Sequence, residues 1–201
     1  MPTRLLVAGR RPADTSPSVY DMDEVEKLVT ASPAFRVARC DSPDDLIDIV
    51  AGDAQARGKI DILDFYDHGS IGGMLLGDDV LFHSDGNQYS QLVNEDIARS
   101  LSEFLSETAH VRLLGCSTAA ADGPSLEARL LLLKLSNALG AHRVAFGTIE
   151  PVVVDDFGSY GLRRDVEIAK LYSSLSAIDF EPPSPTLRGR SIDATRLKAL
   201  T

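Results

Sequence analysis

Short apolar runs that stop at glycine or a breaker alternate with stretches of helical period along most of this chain, and that alternation limits the fold most. Arg4-Leu5-Leu6-Val7-Ala8-Gly9 reads as a buried strand, closed by glycine and by Arg10-Arg11-Pro12. Asp21 then opens a helix with Glu24 in capping-box spacing, and Met22, Val25, Leu28 and Val29 share one face of it. Phe35 to Cys40 alternates apolar and basic residues, as a strand nearer a sheet edge does. Ser42-Pro43-Asp44-Asp45 combines a cap residue, a proline and first-turn acids, and Leu46, Ile47 and Val50 supply the buried stripe of the helix it starts.

The same alternation continues. Lys59 to Tyr66 is a strand, Ile71 to Phe82 reads as a hairpin around Gly77-Asp78, and His83 to Asn87 has loop chemistry. Asn94 suits the cap of a helix whose Ile97, Leu101, Phe104 and Leu105 repeat with helical period. Val111 to Leu114 is a strand. Gly123-Pro124 restarts a helix with the apolar run Leu130 to Leu135, ended by Gly140. Arg143 to Gly147 is a further strand, and the last helix is expected over Tyr160 to Ile178. Strand-helix alternation of this kind predicts an α/β fold, a mostly parallel central sheet covered on both faces. Residues 1–180 are expected to form one domain. Residues 181–201 form a tail marked by Pro182, Pro183 and Pro185 and carrying Arg188, Arg190, Arg196 and Lys198.

Composition narrows the function classes. At 201 residues, with 44% apolar and 25% charged, the chain can bury a normal core. A formal charge of −10 argues against nucleic acid as the main partner, because phosphate binding needs a basic stripe. The first apolar run is too short for a signal peptide, and no run approaches the roughly 20 apolar residues of a spanning helix. The expectation is a cytoplasmic protein away from the membrane. The two cysteines, Cys40 and Cys116, make no disulfide framework, and Cys40 reads as a small buried hydrophobe.

Chemistry gathers at two strand ends. One strand delivers Asp67-His68-Gly69-Ser70 and another delivers Gly115-Cys116-Ser117-Thr118-Ala119. In open parallel sheets, ligands bind just beyond the carboxyl ends of the strands. If those two strands are neighbours, His68 and Cys116 converge there as a base and a nucleophile, and an adjoining imidazole is what generates the attacking thiolate. The N–H groups of Gly69 and Cys116 are then candidate oxyanion donors, and Gly115 permits a sharp turn that exposes the sulfur. Asp67 alternates away from His68 and is a poor third member. Asp78, Asp79 and Asp85 can hold calcium or a basic substrate side chain, against the plainer reading of a solvated acidic turn. A zinc site from His68, His83, Cys116 and an acid is conceivable, but no short ligand spacing supports it, so no metal or cofactor is expected.

The order apolar strand, His-Gly, glycine-rich hairpin, helix, apolar strand, Gly-Cys resembles the caspase-like (clan CD) cysteine peptidases. Within them it is similar to a bacterial CHAT-related domain of unassigned function. The resemblance rests on His68-Gly69-Ser70-Ile71-Gly72-Gly73-Met74-Leu75-Leu76-Gly77 and on Leu113-Leu114-Gly115-Cys116-Ser117-Thr118-Ala119 with Gly123, and it covers about residues 59 to 147. It implies a caspase-like three-layer αβα sandwich, with His68 as general base, Cys116 as nucleophile and Gly69 as oxyanion donor. It also implies a protein or peptide substrate and a homodimer or an activating partner protein. Metacaspase-like members carry an acid two residues before the cysteine, where this chain has Leu114, so a basic-side-chain preference does not carry over. The function expected is a cysteine endopeptidase. The alternatives are a catalytically inactive caspase-like module acting as a binding or signalling scaffold, and a plain flavodoxin-like domain with the two side chains far apart.

Overall fold

A computed structural model describes residues 2–9, 22–29, 35–119 and 126–177. In chain order the elements are β1 (Arg4–Gly9), α1 (Met22–Val29), β2 (Phe35–Cys40), α2 (Pro43–Arg57), β3 (Ile60–Tyr66), β4 (Gly69–Ser70), β5 (Gly73–Leu76), β6 (Asp79–His83), α3 (Glu95–Leu101) and β7 (Leu105–Leu113). There follow α4 (Leu126–Leu139), β8 (Val144–Thr148), a 3-10 turn (Val154–Asp156), β9 (Phe157–Gly158), β10 (Gly161–Leu162), α5 (Arg164–Lys170), β11 (Leu171–Ser173) and α6 (Ser174–Ala177). Among the described residues the central sheet has six strands in the order β11-β8-β7-β3-β1-β2. All neighbours run parallel except β11, which pairs antiparallel with β8.

Strand alternation sends side chains to two cores. On one face Leu5, Val7, Leu63, Phe65, Val111, Leu113 and Ala145 pack with α2, α3, α4 and the β4-β5-β6 hairpin sheet. On the other, Leu6, Ala8, Tyr66 and Leu114 pack with Val25 and Val29 of α1, with Phe157 of β9 and with Val166 of α5. The expected mixed α/β fold, a mostly parallel sheet between helices, is therefore present. No helix among the described residues is long and apolar enough to cross a membrane.

Several local expectations change. Leu28 is exposed although Val25 and Val29 are buried. The Ser42 hydroxyl makes no capping bond; it donates to the Asp45 carboxylate at 3.1 Å. The hairpin gains a third strand, β4, and β6 runs on to His83. Helix α3 stops at Leu101, and Leu105 instead opens β7, because the Ile60 N–H takes the Phe104 carbonyl at 3.0 Å and Leu105 registers with Ile60. The single last helix breaks up. Gly161 has φ +94°, its backbone presses on the Phe35 ring where a Cβ would stand 2.6 Å from Cε2, and Leu171–Ser173 is captured by β8. Asp21, the Met22 side chain, the Gly123-Pro124 restart and the basic tail lie outside the described residues.

Candidate active site

β3 and β7 are adjacent, with Phe65 opposite Leu113. His68 and Cys116 therefore each lie three residues beyond one registered pair, at the carboxyl end of the same two strands. The Leu114 N–H donates to the Phe65 carbonyl at 2.7 Å and carries the pairing one step further. Both His68 and Cys116 are half-buried, while Leu114 is fully buried in the core of the α1 face.

Two glycines bring the loops together. A Cβ on Gly69 would stand 3.1 Å from the Cys116 nitrogen and 3.1 Å from the Gly115 Cα. A Cβ on Gly115 would stand 2.8 Å from both the Gly69 nitrogen and Cα, and 2.9 Å from the Met74 sulfur. Backbone touches backbone here, and only glycine leaves the room. The Leu75 N–H donates to the His68 carbonyl at 2.9 Å, so ladder alternation turns the Gly69 N–H away from β5. The chain bends from Gly115 onward, as expected, although Gly115 itself is not left-handed. The left-handed residue is Ser117, φ 51°, directly after the cysteine. A non-glycine residue in that region marks a turn that its surroundings hold in place.

What holds it is a buried hydroxyl pair. The Thr118 hydroxyl donates to the Leu113 carbonyl at 3.0 Å and accepts from the Thr148 N–H at 2.8 Å. The Thr148 hydroxyl donates to the Gly115 carbonyl, and the Ala119 N–H returns to the Thr148 carbonyl at 2.8 Å. Both threonines are fully buried. The end of β8 thus grips the cysteine loop from three sides. Sequence reasoning missed both residues; a threonine at or just past the end of a strand carries no signal of the loop it will meet.

The buried Asp67 carboxylate accepts from the His68 N–H at 2.5 Å and the Gly77 N–H at 2.7 Å, a role its place in the sequence does not announce. That ties the His68 loop to the β5–β6 turn.

The three candidate acids fall in two places. Asp78 and Asp79 are exposed on the β5–β6 turn that Gly77 anchors. Asp85 lies in the next loop, where its carboxylate accepts from the Asn87 N–H at 2.9 Å and the Ser90 hydroxyl at 2.5 Å. Those bonds lower its pKa, the Ser90 hydroxyl contributing most. Lys134 of α4 clasps this loop through Asn87 and Ser90, so Asp85 has a loop-holding role and does not sit with the other two. Among the described residues no three His, Cys, Asp or Glu side chains are grouped to hold a metal ion. His83 ends β6, with its ring over Gly73, whereas His110 lies against the Phe146 ring at 5.1 Å.

Cys40, unlike the half-buried Cys116, is fully enclosed. It is buried at the end of β2, its thiol donates to the Ser42 carbonyl at 3.0 Å, and burial pushes its pKa up to about 11.

No curated protein and no solved structure matches this chain. One family model does, over residues 17–146, a span that takes in both strand-end motifs, the hairpin sheet and the start of β8. The chain belongs to the family described as Domain of unknown function (DUF4347).

Proposed function

We propose that this domain is a caspase-like cysteine endopeptidase in which His68 and Cys116 form the dyad. One observation carries the reading. The Gly69 and Gly115-Cys116 backbones meet in van der Waals contact at the carboxyl ends of neighbouring strands, which puts the loops that carry His68 and Cys116 side by side. The parallel sheet with helices on both faces and the left-handed Ser117 beside the cysteine support it.

In this mechanism His68 takes the Cys116 proton and the sulfur attacks the scissile carbonyl carbon. The C=O electron pair moves onto oxygen, which the N–H groups of Gly69 and Cys116 receive. Collapse expels the amine, which leaves with the proton from His68, and a thioester remains on Cys116. Water, deprotonated by His68, then attacks that thioester; the acid product departs and the thiol is restored. Leu114 is buried where metacaspase-like enzymes carry an acid, so it offers no charge to a basic side chain.

A peptide library and an electrophilic thiol probe test the proposal. Turnover is expected in the native protein and absent in Cys116→Ala, and the probe should label Cys116 rather than Cys40. His68→Ala should slow labelling of Cys116 by about tenfold or more, the usual scale of a lost base. An unchanged labelling rate in His68→Ala would remove the dyad. No turnover of any peptide, with partner capture that survives Cys116→Ala, would favour the non-catalytic module.

A further inference from the structure

Doubly wound sheets take up ligands where the strand order reverses. In this molecule that point lies between β1 and β3, which run side by side while their onward connections diverge. The crevice is already filled, and by the protein's own anion. The carboxylate of Asp67, only 6% exposed, lies directly over Gly9 at the end of β1. A Cβ on Gly9 would stand 1.7 Å from Asp67 Oδ2 and 2.4 Å from the Gly77 nitrogen. Two amides, of His68 and Gly77, converge on that carboxylate from different segments. Paired backbone N–H groups of this kind make an anion seat. The occupied seat also explains why the chemistry gathers one strand further along, between β3 and β7.

We propose that Asp67 is a positioning residue: its carboxylate, seated over Gly9 and held by the His68 and Gly77 amides, sets where the His68-Gly69 loop stands relative to Cys116. Both carboxylate oxygens accept, so two acceptors and not only shape are required. An amide in the same place would turn N–H toward N–H on one side. Met74 and Leu76 of β5 are fixed in the core beneath, so the Gly77 anchor links the loop to a rigid element. The catalytic part of this inference rests on the peptidase reading; the anchoring part does not.

The test is the variant Asp67→Ala, followed by amide hydrogen exchange and peptide turnover, with and without added formate. Exchange at His68 and Gly77 should rise by about 10- to 100-fold, the scale of a lost hydrogen bond to a charged group. The Leu114 amide, bonded to Phe65 within the sheet, should stay protected. Formate should restore both protection and turnover in part, and neutral formamide should not. In the same variant kcat should fall with KM nearly unchanged. Gly9→Ala, which crowds the seat from β1, should reproduce the exchange pattern with Asp67 still present. If Asp67→Ala fails to fold, Asp67→Asn is read the same way, without formate. Unchanged exchange at both amides, or equal rescue by formamide, overturns the proposal. A native protein without turnover overturns the peptidase reading alone, because the exchange result stands independently.

Discussion

Two thiols in one chain show how position divides chemistry that composition cannot. Cys40 is 1% exposed and hydrogen-bonded to Ser42, whereas Cys116 is half-buried beside a left-handed residue on a loop. Burial holds the folded Cys40 pKa near 11, against 9.0 for the ordinary thiol. The folded protein therefore holds that proton more tightly than the unfolded chain does. The stabilising contribution is complete below about pH 9 and is lost as pH rises toward about 11. Cys40→Ala removes this alkaline loss. Urea denaturation between about pH 8 and 11 should show the native protein losing more stability than the variant. Parallel losses in both would contradict the assignment. At this scale the sequence was a fair guide: the strand-end positions of His68 and Cys116 and the buried character of Cys40 were all legible. Asp67, Thr118 and Thr148 were not: Asp67 joins its neighbour His68 to Gly77 across the hairpin, and the two threonines tie the cysteine loop to β8, a pairing that only the fold creates.

At the scale of elements, the errors of sequence reading share one cause. Leu101, Phe104 and Leu105 keep helical period, yet a short apolar run fits a strand equally well. The edge of β3 decides the matter by capturing Leu105. Likewise Leu171–Ser173 leaves a helical pattern to pair with β8. Asn94 stands at the N-cap of α3 as expected, but its side chain makes no capping bond. It sits at φ 58° with its side-chain amide donating to the carbonyls of Val80 at 2.8 Å and Leu81 at 3.0 Å. It thus stitches the start of α3 onto β6. Asn94→Ala loses both bonds and keeps a Cβ in the left-handed region, whereas Asn94→Gly loses only the bonds. The alanine variant should be less stable than the glycine variant by about 1 kcal/mol in denaturant unfolding. Equal stabilities would show that the backbone relaxes out of that conformation.

At the scale of the whole molecule, one buried charge network crosses the sheet and fixes the C-terminal part to it. Asp64 of β3 and Arg112 of β7 are register partners, and the Arg112 guanidinium forks onto the Asp64 carboxylate, with Nη2 to Oδ2 at 2.6 Å. Arg112 also reaches Glu167 of α5, which Arg4 of β1 meets at 3.1 Å. Burial works against the Arg112 charge, but Asp64 and then Glu167 outweigh it and hold its pKa above the ordinary value. Arg112→Leu would leave Asp64 buried and unpaired, which costs about 3–5 kcal/mol. Replacing both Asp64 and Arg112 by leucine should recover most of that loss, since a well-packed apolar pair avoids the desolvation of two charges. Denaturant unfolding of the two single variants and the double variant measures the coupling. An Arg112→Leu variant as stable as the native protein would contradict the network.

Local chemistry was enough for the sequence to determine the alternation of strands and helices, the parallel character of the sheet, and the histidine and cysteine at two strand ends. These depend on periodicity, glycine and proline placement and residue type, all of which are local in the chain. Tertiary structure alone decided that β3 and β7 are neighbours, that Gly69 lies on Gly115, and that Thr148 and Asp67 hold the two loops. Those are contacts between segments far apart in sequence, selected by packing and by the need to satisfy buried N–H and C=O groups. No local pattern encodes which distant carbonyl a threonine will meet, nor that a glycine is small because another glycine lies against it.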